Sequence, residues 1–393
     1  MKITKKTIQT SSVTMNSHSS DKLSAIVVSD IHLGHKNNLT SRIISNLNEF
    51  LFNDEVLKDT DIVFIAGDLF DRLLEYPEEC ISHITVWINH VLHTCLKNNV
   101  ILRILEGTPS HDWKQSEIFN AFQKRFSDLD FKYVNTLSVE YIEKFGINVL
   151  YIPDEWDLPE NTLSQVKTLL SAKGLSKVDL GIFHGNFTYQ LPAHITKIPR
   201  HNEQEYIPLV KYYIAIGHIH TFSQYENIIA QGSFDRLTHG QEEPKGYVKM
   251  NIDFKTENKE FFFIENTKAK IFKTIDITNR DLDTSLAYIK QQCQQLPTDS
   301  CIRLRADKEH LIFSDMSTVM SMFPTFTWTK IINTKEQIDN QITQVDIQDT
   351  YTPIIINKEN IEQQLLDRMS QKQIDSTMFD IVKQNLKQIL SEV

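Results

Sequence analysis

Six stretches of the chain are β-branched, largely apolar runs of strand length. They are "SAIVVSD" (24–30), "DIVFIAGD" (61–68), "VILRILEG" (100–107), "INVLYIPD" (147–154), "VDLGIFHG" (178–185) and "KYYIAIGH" (211–218). A half-buried strand alternates apolar and polar residues, so a run without alternation needs cover on both faces. Helical patterns at about 40–57, 78–98, 114–126 and 160–173 lie between the runs and can supply that cover. "GYVKMNID" (246–253) and "KEFFFIEN" (259–266) read as antiparallel strands that complete the unit. The pattern predicts a layered α/β domain over 23–267, with helices outside.

From residue 268 the texture changes. "KIFKTIDI" (270–277), "SCIRLRAD" (300–307) and "FTWTKIIN" (326–333) read as strands, separated by helical "DLDTSLAYIKQQCQQL" (281–296) and "FSDMSTVMSMF" (313–323). This predicts a small α+β domain over 268–334. Residues 335–350 are polar and read as a linker. In 351–393, Ile361, Leu365 and Met369 share one helical face and Met378, Ile381, Val382, Leu386 and Leu390 another. That segment reads as a helical arm for a partner, or else as a cap on the protein's own core. Residues 1–22 are Ser/Thr-rich, lack the apolar core of a secretory signal and read as a disordered tail.

Composition narrows the function classes. The net charge of −10 argues against an indiscriminate nucleic-acid coat, though a local basic groove or bound cations can still offer DNA a positive field. The four cysteines, Cys80, Cys95, Cys293 and Cys301, have no CxxC spacing, which excludes a zinc ribbon or a disulfide framework and fits a reducing cytoplasm. The longest apolar runs are strand-sized, so no membrane span is expected.

The chemistry sits where strands end. "VVSDIH" delivers Asp30 and His32; "FIAGDLFDR" delivers Asp68, Asp71 and Arg72; "RILEGTPSHD" delivers Ser110, His111 and Asp112. "GIFHGNF" delivers His184, and "AIGHIH" delivers His218 and His220. A lone histidine pair at a strand exit reads as a turn. Five strand ends rich in Asp and His do not, because in open α/β sheets the carboxyl ends of strands face one crevice. Asp and His together ligate divalent Mn, Fe or Zn. A shared carboxylate can bridge two ions about 3.5–4 Å apart. The D-x-H and H-x-H spacings put alternate side chains on one side of an extended segment.

The order D-x-H, G-D-x-x-D-R, a G-N-H-D-like element, H-G and G-H-x-H resembles the signature of calcineurin-like metallophosphoesterases. The run "AQGSFDRLTHGQEEPKGYVKMNID" (230–253) resembles the segment after the last histidine in SbcD-type nucleases. The resemblance covers roughly 23–390 and is strongest in the first domain. It implies a four-layer α/β/β/α sandwich with a small capping domain and a C-terminal helical arm. It implies two divalent ions, with Mn²⁺ first and Mg²⁺, Fe²⁺ or Zn²⁺ as alternatives. Asp30, His32, Asp68 and His220 would hold one ion, and Asp68, His184 and His218 the other. Where the family has an asparagine ligand, "GTPSHD" stands here with two residues apparently inserted. Ser110 takes that place in one alignment and Thr108 in another.

By the same resemblance His111 would orient the scissile phosphate and protonate the leaving 3′ oxygen. Asp112 would hold the other ring nitrogen of His111, and Asp71 and Arg72 would support the ligands and the phosphate. Gly232 and Ser233 read as a tight turn near the site. Arg200, Lys211, Arg236 and Lys245 are candidate contacts to a DNA backbone. His35, His83, His90, His93, His194, His201, His239 and His310 read as ordinary surface or core histidines. The implied activity is a 3′→5′ exonuclease and structure-directed endonuclease in DNA repair and recombination. Its substrates would be double-stranded ends, hairpins or single strands. It would work as a homodimer with an SMC-like ATPase bound at 351–393, and with no membrane association. A small-molecule phosphodiesterase of the same fold, or a scaffold with a weakened site, are the competing readings.

Overall fold

The computed structural model describes residues 20–75, 78–154, 157–192, 194–195 and 198–333. Of the tail expected over 1–22, residues 1–19 lie outside them, as do the linker 335–350 and the helical arm 351–393, whereas Lys22 already belongs to a strand. The strands are β1 (Lys22–Val28), β2 (Ile62–Ala66), β3 (Ile101–Leu105), β4 (Phe131–Val134), β5 (Ser138–Ile142), β6 (Ile147–Ile152), β7 (Val178–His184), β8 (Val210–Gly217), β9 (Ser223–Tyr225), β10 (Ile228–Ala230), β11 (Gly246–Asp253), β12 (Lys259–Glu265), β13 (Phe272–Asp276), β14 (Cys301–Ala306) and β15 (Thr327–Ile332). The helices are α1 (Thr40–Phe50), α2 (Asp54–Leu57), α3 (Glu79–Lys97), α4 (Pro109–Asp112), α5 (Ile118–Gln123), α6 (Pro159–Ala172), α7 (Glu203–Tyr206), α8 (Leu282–Cys293) and α9 (Met316–Met322).

Two six-stranded sheets, ordered β12-β11-β1-β2-β3-β4 and β5-β6-β7-β8-β10-β9, form the main body. β1 to β4 run parallel, as do β6, β7, β8 and β10; β5, β9, β11 and β12 pair antiparallel. The apolar runs are explained by double cover. In β2, Ile62, Phe64 and Ala66 enter the core between the sheets, while Val63 and Ile65 enter the core beneath the helices. In β8, Tyr213 and Ala215 face the other sheet, and Ile214 and Ile216 face the outer helical layer. Ile84, Trp87, Ile88, Val91, Leu92 and Cys95 make one buried stripe of α3 against the first sheet. Val166 and Leu170 of α6 cover the second. The main body is therefore an α/β/β/α sandwich.

β13, β14 and β15 form a separate three-stranded parallel sheet with its own apolar cluster, covered by α8 and α9. Strands that the sequence reading did not identify are short or at sheet edges: β4, β5, β9 and β10. Among the described residues no helix is long and apolar enough to cross a membrane.

Candidate metal centre

β1, β2 and β3 of one sheet and β7 and β8 of the other end at the same place, because their backbones come unusually close. The His184 imidazole Nδ1 donates to the Ala66 carbonyl at 2.8 Å, crossing between the sheets. Gly67 and Gly107 permit this approach. A Cβ on Gly67 would sit 2.2 Å from His184 Nδ1, and one on Gly107 would sit 2.1 Å from the Asp68 nitrogen.

The residues that leave these strands do so with strained backbones. Nine described non-glycine residues have left-handed φ, and four are Asp30 (51°), His32 (53°), Asp68 (50°) and His218 (97°). Such conformations cost on the order of 1–3 kcal/mol each and persist where surrounding structure enforces them, commonly at functional sites. Here the enforcement is visible. Backbone N–H groups of Ile31 and His32 donate to the Asp68 carbonyl at 2.9 and 3.1 Å. The His218 N–H donates to Asp30 Oδ1 at 2.9 Å.

Three overlapping groups result: Asp30–His32–His220, His32–Asp68–His111 and Asp68–His184–His218. Within each group the ligand atoms lie within 4.8 Å of one another. His32 is shared by the first two groups and Asp68 by the last two, with His184 Nε2 3.1 Å from Asp68 Oδ1 and His111 Nδ1 3.0 Å from Oδ2. His32 Nε2 and His220 Nε2 face each other at 3.1 Å, beside Asp30 Oδ1 at 3.6 Å from His220. Two imidazole nitrogens at that separation need a proton or a cation between them. The donor set of buried carboxylates and imidazoles suits a first-row divalent ion, so the cluster can hold metal.

The electrostatics agree. Burial opposes the charged form of Asp68, but His184 and His111 hold it well below the usual carboxylate range. Burial likewise opposes a charged His184, yet Asp68 pushes it up to about 10. Burial pushes Asp30 up and His220 well down, and pushes His218 down to about 4. Neutral imidazoles at His218 and His220 are already in the state that ligates metal.

Three expected roles are corrected. Thr108, not Ser110, enters the cluster. Its Oγ1 lies 3.1 Å from His218 Nδ1, 3.3 Å from His184 Nε2 and 3.3 Å from Asp68 Oδ2. Ser110 instead gives its backbone carbonyl to the Trp113 indole at 2.7 Å, because α4 turns the chain after Thr108. Asp112 does not hold His111. Its buried carboxylate accepts the backbone N–H of Gly107 (2.7 Å), Phe70 (2.8 Å) and Asp68 (3.1 Å), tying the β2 and β3 loops together. Burial, then the charges of Asp68 and Glu106, push it up to about 8. The Arg72 guanidinium forms a two-pronged ion pair with Glu78 rather than facing the cluster, with Nη1 2.9 Å from Oε1.

Other expected residues lie around the cluster as follows. Asp71 Oδ1 lies 3.2 Å from His32 Nδ1. Gly232 turns with φ 73°, and Ser233 N–H donates to the His220 carbonyl at 3.0 Å. His35, expected as a surface or core histidine, lies 4.0 Å from Asp71, and burial pushes it down to about 4. Two supporting residues were missed. Gln241 Nε2 meets His220 Nδ1 at 2.7 Å while its Oε1 takes the Leu237 N–H. Lys245, read as a DNA contact, is buried and donates to the His220 carbonyl at 2.7 Å. Arg236 is likewise bonded inward, to the Glu243 carbonyl at 3.1 Å. Only the local Gly-Ser turn hinted at this arrangement.

No family model matches the chain. TT1561 of Thermus thermophilus is a solved structure 10% identical to this chain, with a TM-score of 0.35, covering 61% of this chain and 98% of its own. A second solved structure is 11% identical with a TM-score of 0.37, covering 62% of this chain and 100% of its own. At these scores neither likeness bears on the fold or the chemistry.

Proposed function

We propose that this chain is a metal-dependent phosphodiesterase acting on DNA, a 3′→5′ exonuclease and structure-directed endonuclease of SbcD type. The observation that carries the proposal is the meeting of Asp30, His32, Asp68, His184, His218 and His220 from four strand ends in one buried cluster. In this reading Asp30, His32, Asp68 and His220 hold one divalent ion, and Asp68, Thr108, His184 and His218 a second. Mn²⁺ is the first candidate for both. Such a pair supplies an activated water and neutralises charge on the attacked phosphate. The three-stranded sheet beside the main body is what a capping domain would provide, and residues 351–393 are assigned to binding an SMC-like ATPase. A homodimer is part of the same reading.

The chain's own residues do the rest. His111 has a quarter of its side chain exposed, against 2% or less for His32, His184 and Asp68. It thus stands at the mouth of the cluster, where a phosphodiester arrives. Tethered to Asp68, its imidazole can pass a proton to the departing 3′ oxygen. Asp112 fixes the backbone on which Asp68 and Thr108 are mounted.

The test compares Mn²⁺-dependent cleavage of linear duplex DNA with that of a chromogenic phosphodiester. Duplex cleavage is expected, and His111→Gln should lower it by about 10²–10⁴-fold with metal content unchanged. Cleavage confined to the small ester would assign a small-molecule phosphodiesterase, and no hydrolysis of either would assign a scaffold.

A further inference from the structure

Directly after His111 and Asp112 the backbone does something costly that the metal cluster does not require. Trp113 (φ 48°, ψ 30°) and Lys114 (φ 56°, ψ 18°) are consecutive left-handed residues, and neither is a glycine. A bulky side chain is disfavoured there, and two in succession occur only where neighbours enforce them. The neighbours are specific. The Lys114 N–H donates to Glu106 Oε1 at 2.7 Å. Glu106 is only 5% exposed, a carboxylate taken out of water, and its other oxygen accepts the Tyr133 hydroxyl. The Trp113 indole N–H is pinned on the Ser110 carbonyl at 2.7 Å. Gln115 bonds to the Asp112 carbonyl (3.2 Å), the Arg72 carbonyl (2.9 Å) and the Leu74 N–H (2.8 Å), which brings the 72–74 loop alongside.

The outcome of this bracing is a fixed indole that packs into no core, with Trp113 54% exposed. A single exposed aromatic is ordinary; one held by strain and a buried carboxylate is not. Its Cα is two residues from His111, at most about 7 Å along the chain. That separation is comparable to the reach from a phosphate to an attached base.

We propose that Trp113 is a stacking platform for an unpaired nucleobase next to the phosphate that His111 faces. The chemical class recognised is a single-stranded or frayed DNA end, and stacking makes the subsite tolerant of sequence. This rests on the DNA-directed reading above and sharpens its substrate to a strand with at least one base out of the duplex.

The test uses the full chain in a His111→Gln background with Mn²⁺, so that binding is read without rapid turnover. Anisotropy of a labelled single-stranded oligonucleotide gives affinity, and an abasic site is stepped through its 3′ end. Trp113→Ala should weaken binding by about tenfold, and Trp113→Phe by about threefold or less. One abasic position should weaken the Trp113-containing protein by about tenfold and the alanine variant not at all. Equal binding by the Trp113-containing protein and the alanine variant, or equal abasic penalties in both, overturns the subsite. If a chain with its native His111 cuts DNA while those equalities hold, the nuclease reading survives and only the platform falls. If no oligonucleotide binds and only a base-free phosphodiester is cut, both fall.

Discussion

Asp68 is the residue on which the site turns. Its oxygens meet His184 and His111, and Oδ1 also accepts the Thr108 N–H at 2.6 Å. Without metal, Asp68 lies well below its ordinary range and His184 rises to about 10, so near neutral pH the two form a carboxylate–imidazolium pair. A raised histidine stabilises the metal-free fold fully below its ordinary value of 6.5, and that contribution is lost as pH rises through about 10. Metal needs the neutral ring, so uptake must expel this proton. Affinity at the His184 position should therefore rise about tenfold per pH unit between about pH 7 and 9. Titration calorimetry in buffers of different ionisation enthalpy should find a proton released. A flat pH profile would mean that His184 is neutral before metal arrives. Thr108 gives a second residue-scale prediction. Thr108→Val should weaken one Mn²⁺ by about tenfold and Thr108→Asn should restore it, with Ser110→Ala silent, all read by metal content after dialysis. A larger effect of Ser110→Ala than of Thr108→Val would reverse the assignment. Residue type and spacing singled out the six Asp and His residues that the fold gathers into the cluster. They left Thr108 and Ser110 undecided, because only the path of α4 shows which hydroxyl turns inward. Arg72 misled because its partner Glu78 lies six residues on, in a segment with no sign of the pairing.

At the scale of elements, the strands that position the site were legible because both faces of each are buried. Short edge strands such as β4 and β9 carry too few apolar residues to stand out. One polar residue inside an apolar run had no sequence explanation. Arg103 in β3 is 4% exposed, and its guanidinium reaches between the sheets to Glu140 of β5, with Nε and Nη2 each 3.0 Å from a carboxylate oxygen. Tyr151 of β6 donates to the same carboxylate at 2.9 Å. The network joins the two sheets through charge at the border of their shared apolar core. Arg103→Met should leave the Glu140 carboxylate with only the Tyr151 hydroxyl and the more distant Lys132 at 3.8 Å and destabilise the fold by about 3 kcal/mol, while Arg103→Met with Glu140→Met should recover most of it. Denaturant unfolding of both variants checks this. Equal losses in the single and double variants would show that the pair, rather than the stranded carboxylate, sets the stability.

Across the whole molecule, the small parallel sheet has an apolar cluster of its own and meets the sandwich through the ring of Phe272 edge-on to His239, with centroids 5.2 Å apart, and through a set of polar contacts. Asp235 is the hub. Its buried carboxylate accepts Asn46 Nδ2 of α1 at 2.8 Å and the Lys270 N–H, on the approach to β13, at 2.7 Å. Arg42 of α1 pairs with Asp299 just before β14, and Glu242 accepts the Thr274 N–H of β13 at 2.8 Å. The stretch that carries Asp235 and Glu242 also carries Gln241 and Lys245, which hold the ring and the carbonyl of His220. Attachment of the small sheet and orientation of His220 in the cluster therefore depend on the same dozen or so residues, and loosening one should loosen the other. Asp235→Ala should raise hydrogen exchange in 266–276 while β1, β2 and β3 stay protected, and should lower Mn²⁺ affinity by about tenfold through His220. Faster exchange confined to the small sheet, with metal affinity unchanged, would uncouple the two. Uniform loss of protection would instead make Asp235 a support of the whole sandwich.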